Sequence, residues 1–288
     1  MKKNNPFIIV LGIVQDGGFP HAGCNKKCCV DAWKNPSLRK HVSCLAIIDP
    51  VSSQRWLIDA TPDFTYQLHK LNNIAPGKSI SGILLTHAHI GHYSGLINLG
   101  KEVMNTKNMP VYAAPRMAEF LSNNHPWQHL VKQKNIKLSV IVNSRPILLN
   151  KRIKITPFTV PHRDEFTETL GFKIESSNNS AVYIPDIDNW EKWEHRLENI
   201  ICKTGRLYID GTFYSKNELP QKNISKIPHP FITDTINLLK KLPHREKHKV
   251  HFIHLNHTNP CLNPDSKERK IIKSNGFHVA EEMSKFYI

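Results

Sequence analysis

Three imidazoles fall within six residues, His87, His89 and His92 in Thr86-His87-Ala88-His89-Ile90-Gly91-His92, directly after the apolar run Ile80-Ser81-Gly82-Ile83-Leu84-Leu85. A strand sends alternate side chains to the same face, so His87 and His89 share a direction, and a turn after them swings His92 toward the same point. A chain that ends a strand in this way folds around whatever its rings converge on. Converging neutral imidazoles suit zinc, iron or manganese, whereas calcium takes oxygen ligands. The competing reading is a chance cluster in a chain of 17 histidines. The strand-then-turn placement argues against it.

Further candidate ligands also follow apolar runs. Asp59 follows Trp56-Leu57-Ile58, His162 follows Phe158-Thr159-Val160-Pro161, Asp186 follows Val182-Tyr183-Ile184-Pro185, and His254 closes Val250-His251-Phe252-Ile253. Strand ends on one edge of a sheet converge in space, so this series builds one pocket. Taken singly, each Asp is better explained as a helix cap or turn residue. Seven other histidines (His69, His125, His129, His195, His244, His248 and His278) lack strand-end placement and read as surface or packing residues.

Of the six cysteines, Cys24, Cys28 and Cys29 crowd together, which points to a metal or thiol site in a reducing compartment rather than a disulfide framework. Plain packing and redox reactivity are the alternatives. Cys44, Cys202 and Cys261 read as buried thiols, since free cysteine packs like a small hydrophobe.

Short β-rich runs recur along the chain, with helices expected over 62–71, 91–99, 116–121, 190–200, 232–239 and 281–286. Thr61 before Pro62 is a start signal, because its hydroxyl caps free amides and Pro is tolerated in the first turn. Together they predict an α/β architecture of two sheets covered by helices. No linker, repeat or low-complexity segment divides the 288 residues, so one large layered domain over 1–288 is expected. The net charge of +15 favours a small anionic substrate. Its basic residues are scattered, and no basic stretch interleaved with aromatics marks a nucleic-acid track. Met1-Lys2-Lys3 before Pro6-Phe7-Ile8-Ile9-Val10-Leu11 imitates a signal peptide but leads into Gln15-Asp16-Gly17-Gly18 without a cleavage pattern, so it reads as a strand. No apolar run approaches the roughly 20 residues that span a bilayer, so a soluble, cytoplasmic protein is expected, with no membrane partner. Oligomeric state has no signature here.

The ordered series of ligands resembles the metallo-β-lactamase fold superfamily, whose signature is His-x-His-x-Asp-His after a strand, with a strand-end Asp before it and His, Asp and His at later strand ends. The resemblance implies an αββα sandwich of two mixed β-sheets flanked by helices. It also implies that His87, His89 and His162 hold one metal, that His92 and His254 hold a second, and that Asp186 bridges them. Asp59 would stand behind the histidines and orient them. Zinc, manganese or iron, as one or two divalent ions, is the implied cofactor.

Within that superfamily the chain is similar to the coenzyme PQQ biosynthesis protein B family. The similarity lies in Gln15-Asp16-Gly17-Gly18-Phe19-Pro20-His21-Ala22-Gly23-Cys24, Pro161-His162-Arg163-Asp164-Glu165, Asp210-Gly211-Thr212-Phe213 and Phe252-Ile253-His254-Leu255-Asn256-His257-Thr258-Asn259-Pro260. A related branch, the phosphonate-pathway cyclic phosphodiesterases, looks similar in its N-terminal Cys cluster and in a second His three residues after the last active-site His. By that likeness Cys24, Cys28, Cys29 and His257 would hold a structural zinc, with Cys261 and His21 as possible substitutes. His229, in Pro228-His229-Pro230, also resembles a segment of the PQQ family and either lines the site or packs.

Two departures stand out. Where the superfamily has its metal-binding Asp, this chain has Gly91, so the second site is expected to bind more weakly or to use Asp164, Glu165 or water. With Asp186, those two carboxylates are the candidate catalytic groups. The chain also keeps all three motif histidines, which are degenerate in typical members of the PQQ family. The implied function is hydrolysis of an ester-like, anionic, phosphodiester-type bond by a metal-activated water. The alternatives are an iron-dependent oxidative step in quinone cofactor biosynthesis, a nuclease, and a non-catalytic metal-binding protein.

Overall fold

The computed structural model describes residues 4–75, 79–218 and 228–288. Its first sheet begins as an antiparallel meander of β1 (Phe7–Gly12), β2 (Cys44–Asp49) and β3 (Gln54–Ile58), with α1 (Lys27–Lys34) between the first two strands. After α2 (Phe64–Ile74) the chain switches to parallel pairing through β4 (Gly82–Leu84), β5 (Met109–Ala113) and β6 (Ile136–Val140). The crossovers carry α3 (Ile90–Tyr93), then α4 (Pro115–Asn123) and α5 (Trp127–Lys132).

The second sheet repeats this plan. An antiparallel meander of β7 (Ile147–Leu148), β8 (Lys154–Thr159), β9 (Leu170–Glu175) and β10 (Ser180–Ile184) leads, through α6 (Leu197–Cys202), to the parallel strand β11 (Arg206–Asp210). Helices α7 (Ile232–Leu238) and α8 (His244–Lys247) precede β12 (Val250–Ile253), and α9 (Lys267–Ser274) precedes β13 (His278–Val279), both parallel. The last strand, β14 (Lys285–Tyr287), returns to the first sheet as the antiparallel neighbour of β1. Among the described residues seven strands thus make each sheet.

The central strands are buried along nearly their whole length, including every residue of β2 and the last five of β1. Unbroken apolar runs of this kind belong to strands covered on both faces. Here the two sheets share one continuous apolar core, in which Trp56, Tyr183, Tyr208, Phe172 and Phe252 are fully buried. The two-sheet α/β architecture expected from the sequence is observed.

Two expected helices are not helical as a whole. Over 190–200 the chain makes a short 3-10 turn, Trp190–Lys192, and then extends until α6 begins at Leu197. Both indoles are buried there, and each finds a partner for its N–H: Trp190 donates to Thr235 Oγ1 (2.9 Å) and Trp193 to the Thr159 carbonyl (3.0 Å). A continuous helix would place Trp190 and Trp193 on one face with fixed spacing, and these anchors win over it. Over 281–286 the chain forms a turn, with Met283 at φ +68°, and then β14. The 91–99 segment divides into α3 and a 3-10 turn, Ser94–Leu99.

Strands β3, β4, β10, β11 and β12 run parallel within their sheets and deliver the loops after them to one edge of the sandwich. The carboxyl ends of parallel strands are where open α/β sheets place their ligands. Among the described residues no helix is long and apolar enough to cross a membrane.

Candidate metal centre

At this edge β3 ends in Asp59, which is fully buried and held at φ +72°. Its Oδ1 accepts from the Thr86 amide and hydroxyl, both at 2.9 Å, and its Oδ2 lies 2.8 Å from His92 Nδ1. The carboxylate therefore joins β3 to the loop after β4 and fixes one imidazole, with Nε2 turned away from it. The same device recurs around the site. His87 Nδ1 meets Thr86 Oγ1 (3.0 Å), His162 Nδ1 meets Asp188 Oδ1 (3.0 Å), and His254 Nδ1 meets Thr212 Oγ1 (3.0 Å). A polar partner on one ring nitrogen sets tautomer and direction for the other.

The turned-in atoms form adjoining groups. His87, His89 and His162 place one ring nitrogen each within 4.8 Å of one another, and so do the donor atoms of His87, His92 and Asp186. His89 Nδ1 lies 3.3 Å from His162 Nε2. Asp186 stands between the groups, with Oδ2 at 3.2 Å from His92 Nε2, and Oδ1 at 3.8 Å from His162 Nε2 and 3.4 Å from His254 Nδ1. The six residues read from the strand ends therefore meet at one place.

Among the described residues, His87 Nε2, His92 Nε2, His254 Nε2 and Asp186 Oδ2 make no hydrogen bond, although all are buried. Orphaned polar atoms cost about 1–3 kcal/mol each when left unpaired. They gather in adjoining groups at this edge, a nitrogen-and-carboxylate donor set that suits a divalent ion. The spacings agree, since two nitrogens about 2.0–2.1 Å from a tetrahedral ion stand roughly 3.3–3.4 Å apart.

Burial sets the electrostatics first. It pushes His87 well below the usual imidazole range and His89 down to about 4, so both rings are neutral and able to ligate near neutral pH. For Asp186 burial alone would raise the carboxyl, but the His254, His92 and His87 rings hold it well below its ordinary value. His92 is pushed down by burial and pulled further up by Asp59, Asp16 and Asp186, and it ends well above the ordinary value. Three carboxylates around one ring are a charge excess that a cation would relieve.

Asp164 and Glu165 sit differently from what the sequence suggested. The Asp164 side chain is 80% exposed and faces Arg116 at 3.9 Å. Glu165 reaches His89 at 3.9 Å and is bridged to Arg163 at 2.8 Å, so it stands at the mouth of the first group. The carboxylate that does approach His92 and His254 is Asp16, at 3.3 and 3.6 Å. Sequence reading treated it only as part of a family string, because nothing local links residue 16 to position 91. Asp210 likewise stands only within a family string, and Asp188 within none, because their partners lie 19 and 26 residues away. His229 is buried against the site: its Nδ1 is 2.7 Å from Asp210 Oδ2, and its ring packs 5.3 Å from that of His162. Burial lowers its basicity, and Asp210 more than restores it.

The cysteines gather as a separate group. Cys24, Cys28, Cys29 and His257 bring their donor atoms within 4.8 Å of one another. Cys28 and Cys29 sulfurs are 4.0 Å apart, and Cys29 Sγ is 3.5 Å from His257 Nδ1. Zinc with bonds of about 2.3 Å to sulfur and 2.0–2.1 Å to nitrogen spans edges of roughly 3.8 and 3.6 Å, so the residues fit a closed Cys3His shell. His21 packs on His257 in a tilted arrangement, with ring centroids 4.4 Å apart. Cys44 and Cys261 are buried as expected, whereas Cys202 is exposed at the end of α6.

A family model described as a beta-lactamase superfamily domain matches residues 54–252, a span that holds Asp59, His87, His89, His92, His162 and Asp186 and stops short of His254. The chain belongs to the beta-lactamase superfamily. Among curated relatives of this superfamily member, the coenzyme PQQ synthesis protein B of Xanthomonas oryzae pv. oryzae is 25% identical over 300 residues, covering 96% of this chain and 97% of the relative. Among solved structures, the Zn2+-bound PqqB of Methylobacterium extorquens superposes with a TM-score of 0.83 at 23% identity, covering 98% of this chain and all of that one. A diphosphatase of the PhnP family superposes with a TM-score of 0.73 at 20% identity, covering 99% and 97%. These likenesses show a metallo-β-lactamase fold along the whole chain.

Proposed function

We propose that the protein is a metal-dependent hydrolase of an ester-like, anionic substrate of the phosphodiester type. The observation that carries this reading is the convergence of buried imidazole nitrogens around the Asp186 carboxylate at one sheet edge, where His87 Nε2, His92 Nε2, His254 Nε2 and Asp186 Oδ2 make no hydrogen bond among the described residues. His87, His89 and His162 would hold one divalent ion, and His92 and His254 a second, and such ions would supply an activated water and positive charge for a developing anion. Asp186 lies between the two positions and stays ionised, so it holds both groups of ligands in register. Asp59, Asp188 and Thr212 fix the rings so that no reorientation accompanies the reaction. At the mouth, Glu165 is half exposed with its carboxylate 3.9 Å from His89, where it can take a proton from an incoming water. Arg163 and Arg116, both partly exposed beside it, draw an anionic group toward the edge. A structural zinc in the Cys3His group belongs to the same reading.

One observation favours a second reading: curated relatives named for PQQ synthesis match this chain over nearly its full length. It is an iron-dependent oxidative step in maturing a quinone cofactor. Elemental analysis of protein purified without added metal, paired with assays of bis(p-nitrophenyl) phosphate cleavage and of oxygen uptake, separates the two. Zinc or manganese with phosphodiester cleavage supports the hydrolase. Iron with oxygen uptake and no cleavage overturns it in favour of the oxidative role.

A further inference from the structure

We infer that Asp16, delivered by the loop after β1, is the carboxylate ligand of the second metal position and takes the place left open by Gly91. The inference rests on the metallo-hydrolase reading above. Asp16 Oδ1 lies 3.3 Å from His92 Nε2 and 3.6 Å from His254 Nε2, and the three atoms form a potential ligand group of their own. All three are buried without a hydrogen-bond partner. These are the separations of atoms that share an ion through bonds of about 2.0–2.2 Å.

Gly91 explains why the ligand comes from elsewhere. A Cβ at position 91 would stand 2.6 Å from Asp16 Cα and 2.7 Å from its Cγ, nearer still to Oδ1. Gly91 is in α3 and is not among the residues with positive φ, so its backbone accepts a side chain and only the approach of Asp16 forbids one. The loop is anchored for this approach. Val14 pairs with both Val42 and Leu255, and the Gln15 amide donates to the Leu255 carbonyl (2.9 Å), one residue past His254. A turn follows in which the Gly18 amide donates to the Gln15 carbonyl (2.8 Å) and Gly18 takes φ +72°. Asp16 is thereby wedged at the seam of the two sheets, between the His92 and His254 rings. With Asp16 and Asp186 both facing it, the second position keeps two carboxylates. The weak second site expected from Gly91 alone does not follow, and Gly91→Asp adds a clash rather than a ligand.

The test is zinc binding to metal-stripped protein, with native mass spectrometry for stoichiometry and calorimetry for affinity. Wild type should take up three ions, one in the Cys3His shell and two at the sheet edge. Asp16→Asn, which is nearly isosteric, should weaken one edge ion by about 100-fold and leave the other two unchanged. Gly91→Ala, which neither adds nor removes a ligand, should weaken that same ion by displacing the loop. If Asp16→Asn does not fold by circular dichroism, Asp16→Ser carries the same expectation. Two edge ions bound with wild-type affinity in Asp16→Asn, while His254→Ala loses one of them, would overturn the inference and leave the hydrolase reading intact. No edge ion in wild type, with the Cys3His ion retained, would overturn the hydrolase reading itself.

Discussion

Asp59 and His254 each end a strand in the left-handed region, at φ +72° and +62°, where a non-glycine residue costs on the order of 1–3 kcal/mol. Both face the candidate metal centre, so the strain sits where the backbone must turn a side chain inward. Asp59 is the cleaner one to probe, because Asn tolerates the left-handed conformation as well as Asp does. In Asp59→Asn the amide oxygen can still accept from Thr86, but the amide N–H2 would face His92 Nδ1 and force the ring proton onto Nε2, the atom aimed at the ion. The fold should survive while affinity for the ion near His92 falls roughly 10- to 100-fold, the range for loss of an orienting partner. Metal titration of the variant checks this, and unchanged affinity would show that Asp59 only pins Thr86. The orienting role of Asp59 was legible in the sequence because it ends an apolar run beside the histidine motif. That of Asp16 was not, because its contact with position 91 is made only after the loop beyond β1 is brought against α3.

At the scale of elements, the segment before β14 shows why local pattern misleads. Residues 281–286 alternate charge and apolarity in a helical manner, yet Glu282 is drawn into a turn. Its carboxylate accepts from the His41 amide (2.6 Å) and lies 3.2 Å from Lys70 Nζ on α2. These contacts tie the last strand to the loop before β2 and to α2, a bond across 241 residues that no sequence window contains. Burial by itself would raise the Glu282 pKa, but the His41 hydrogen bonds and the charges of His41 and Lys70 lower it below the ordinary 4.5. A carboxyl whose folded pKa is depressed stabilises the fold above its unfolded pKa of about 4.3 and loses that contribution as pH falls through the folded value. Glu282→Gln should therefore cost about 1–3 kcal/mol at pH 7, with the gap to wild type closing below about pH 4. Urea melts of both proteins at several pH values measure it. A gap that stays constant into acid would assign the loss to packing instead. The Trp190 and Trp193 anchors make the same point, since the indole partners that break the expected helix are Thr235 and Thr159, far away in sequence.

For the molecule as a whole, the Cys3His group does more than close a surface loop. Cys24, Cys28 and Cys29 come from the segment that leads from Asp16 into α1, and His257 stands three residues past His254. An ion there would clamp the N-terminal loop to the end of β12, and so would join the first sheet to the second close to the candidate metal centre. A metal that binds only the folded chain stabilises it by about 2.7 kcal/mol when free metal is 100-fold above Kd, and each kcal/mol shifts Tm by roughly 2–4 °C in a chain of this size. Cys29→Ser should consequently lower Tm by on the order of 5–10 °C and remove one zinc, while His89→Ala removes an edge ion with a smaller loss of stability. The clamp predicts a further effect that packing alone does not. Because it holds both the Asp16 loop and the His254 turn, Cys29→Ser should also weaken the ion between them, although the serine lies outside that site. Thermal melts and zinc counts on the two variants decide the matter. A Cys29→Ser protein with wild-type Tm and an unweakened edge ion would show that the four residues are neighbours without a metal to join them.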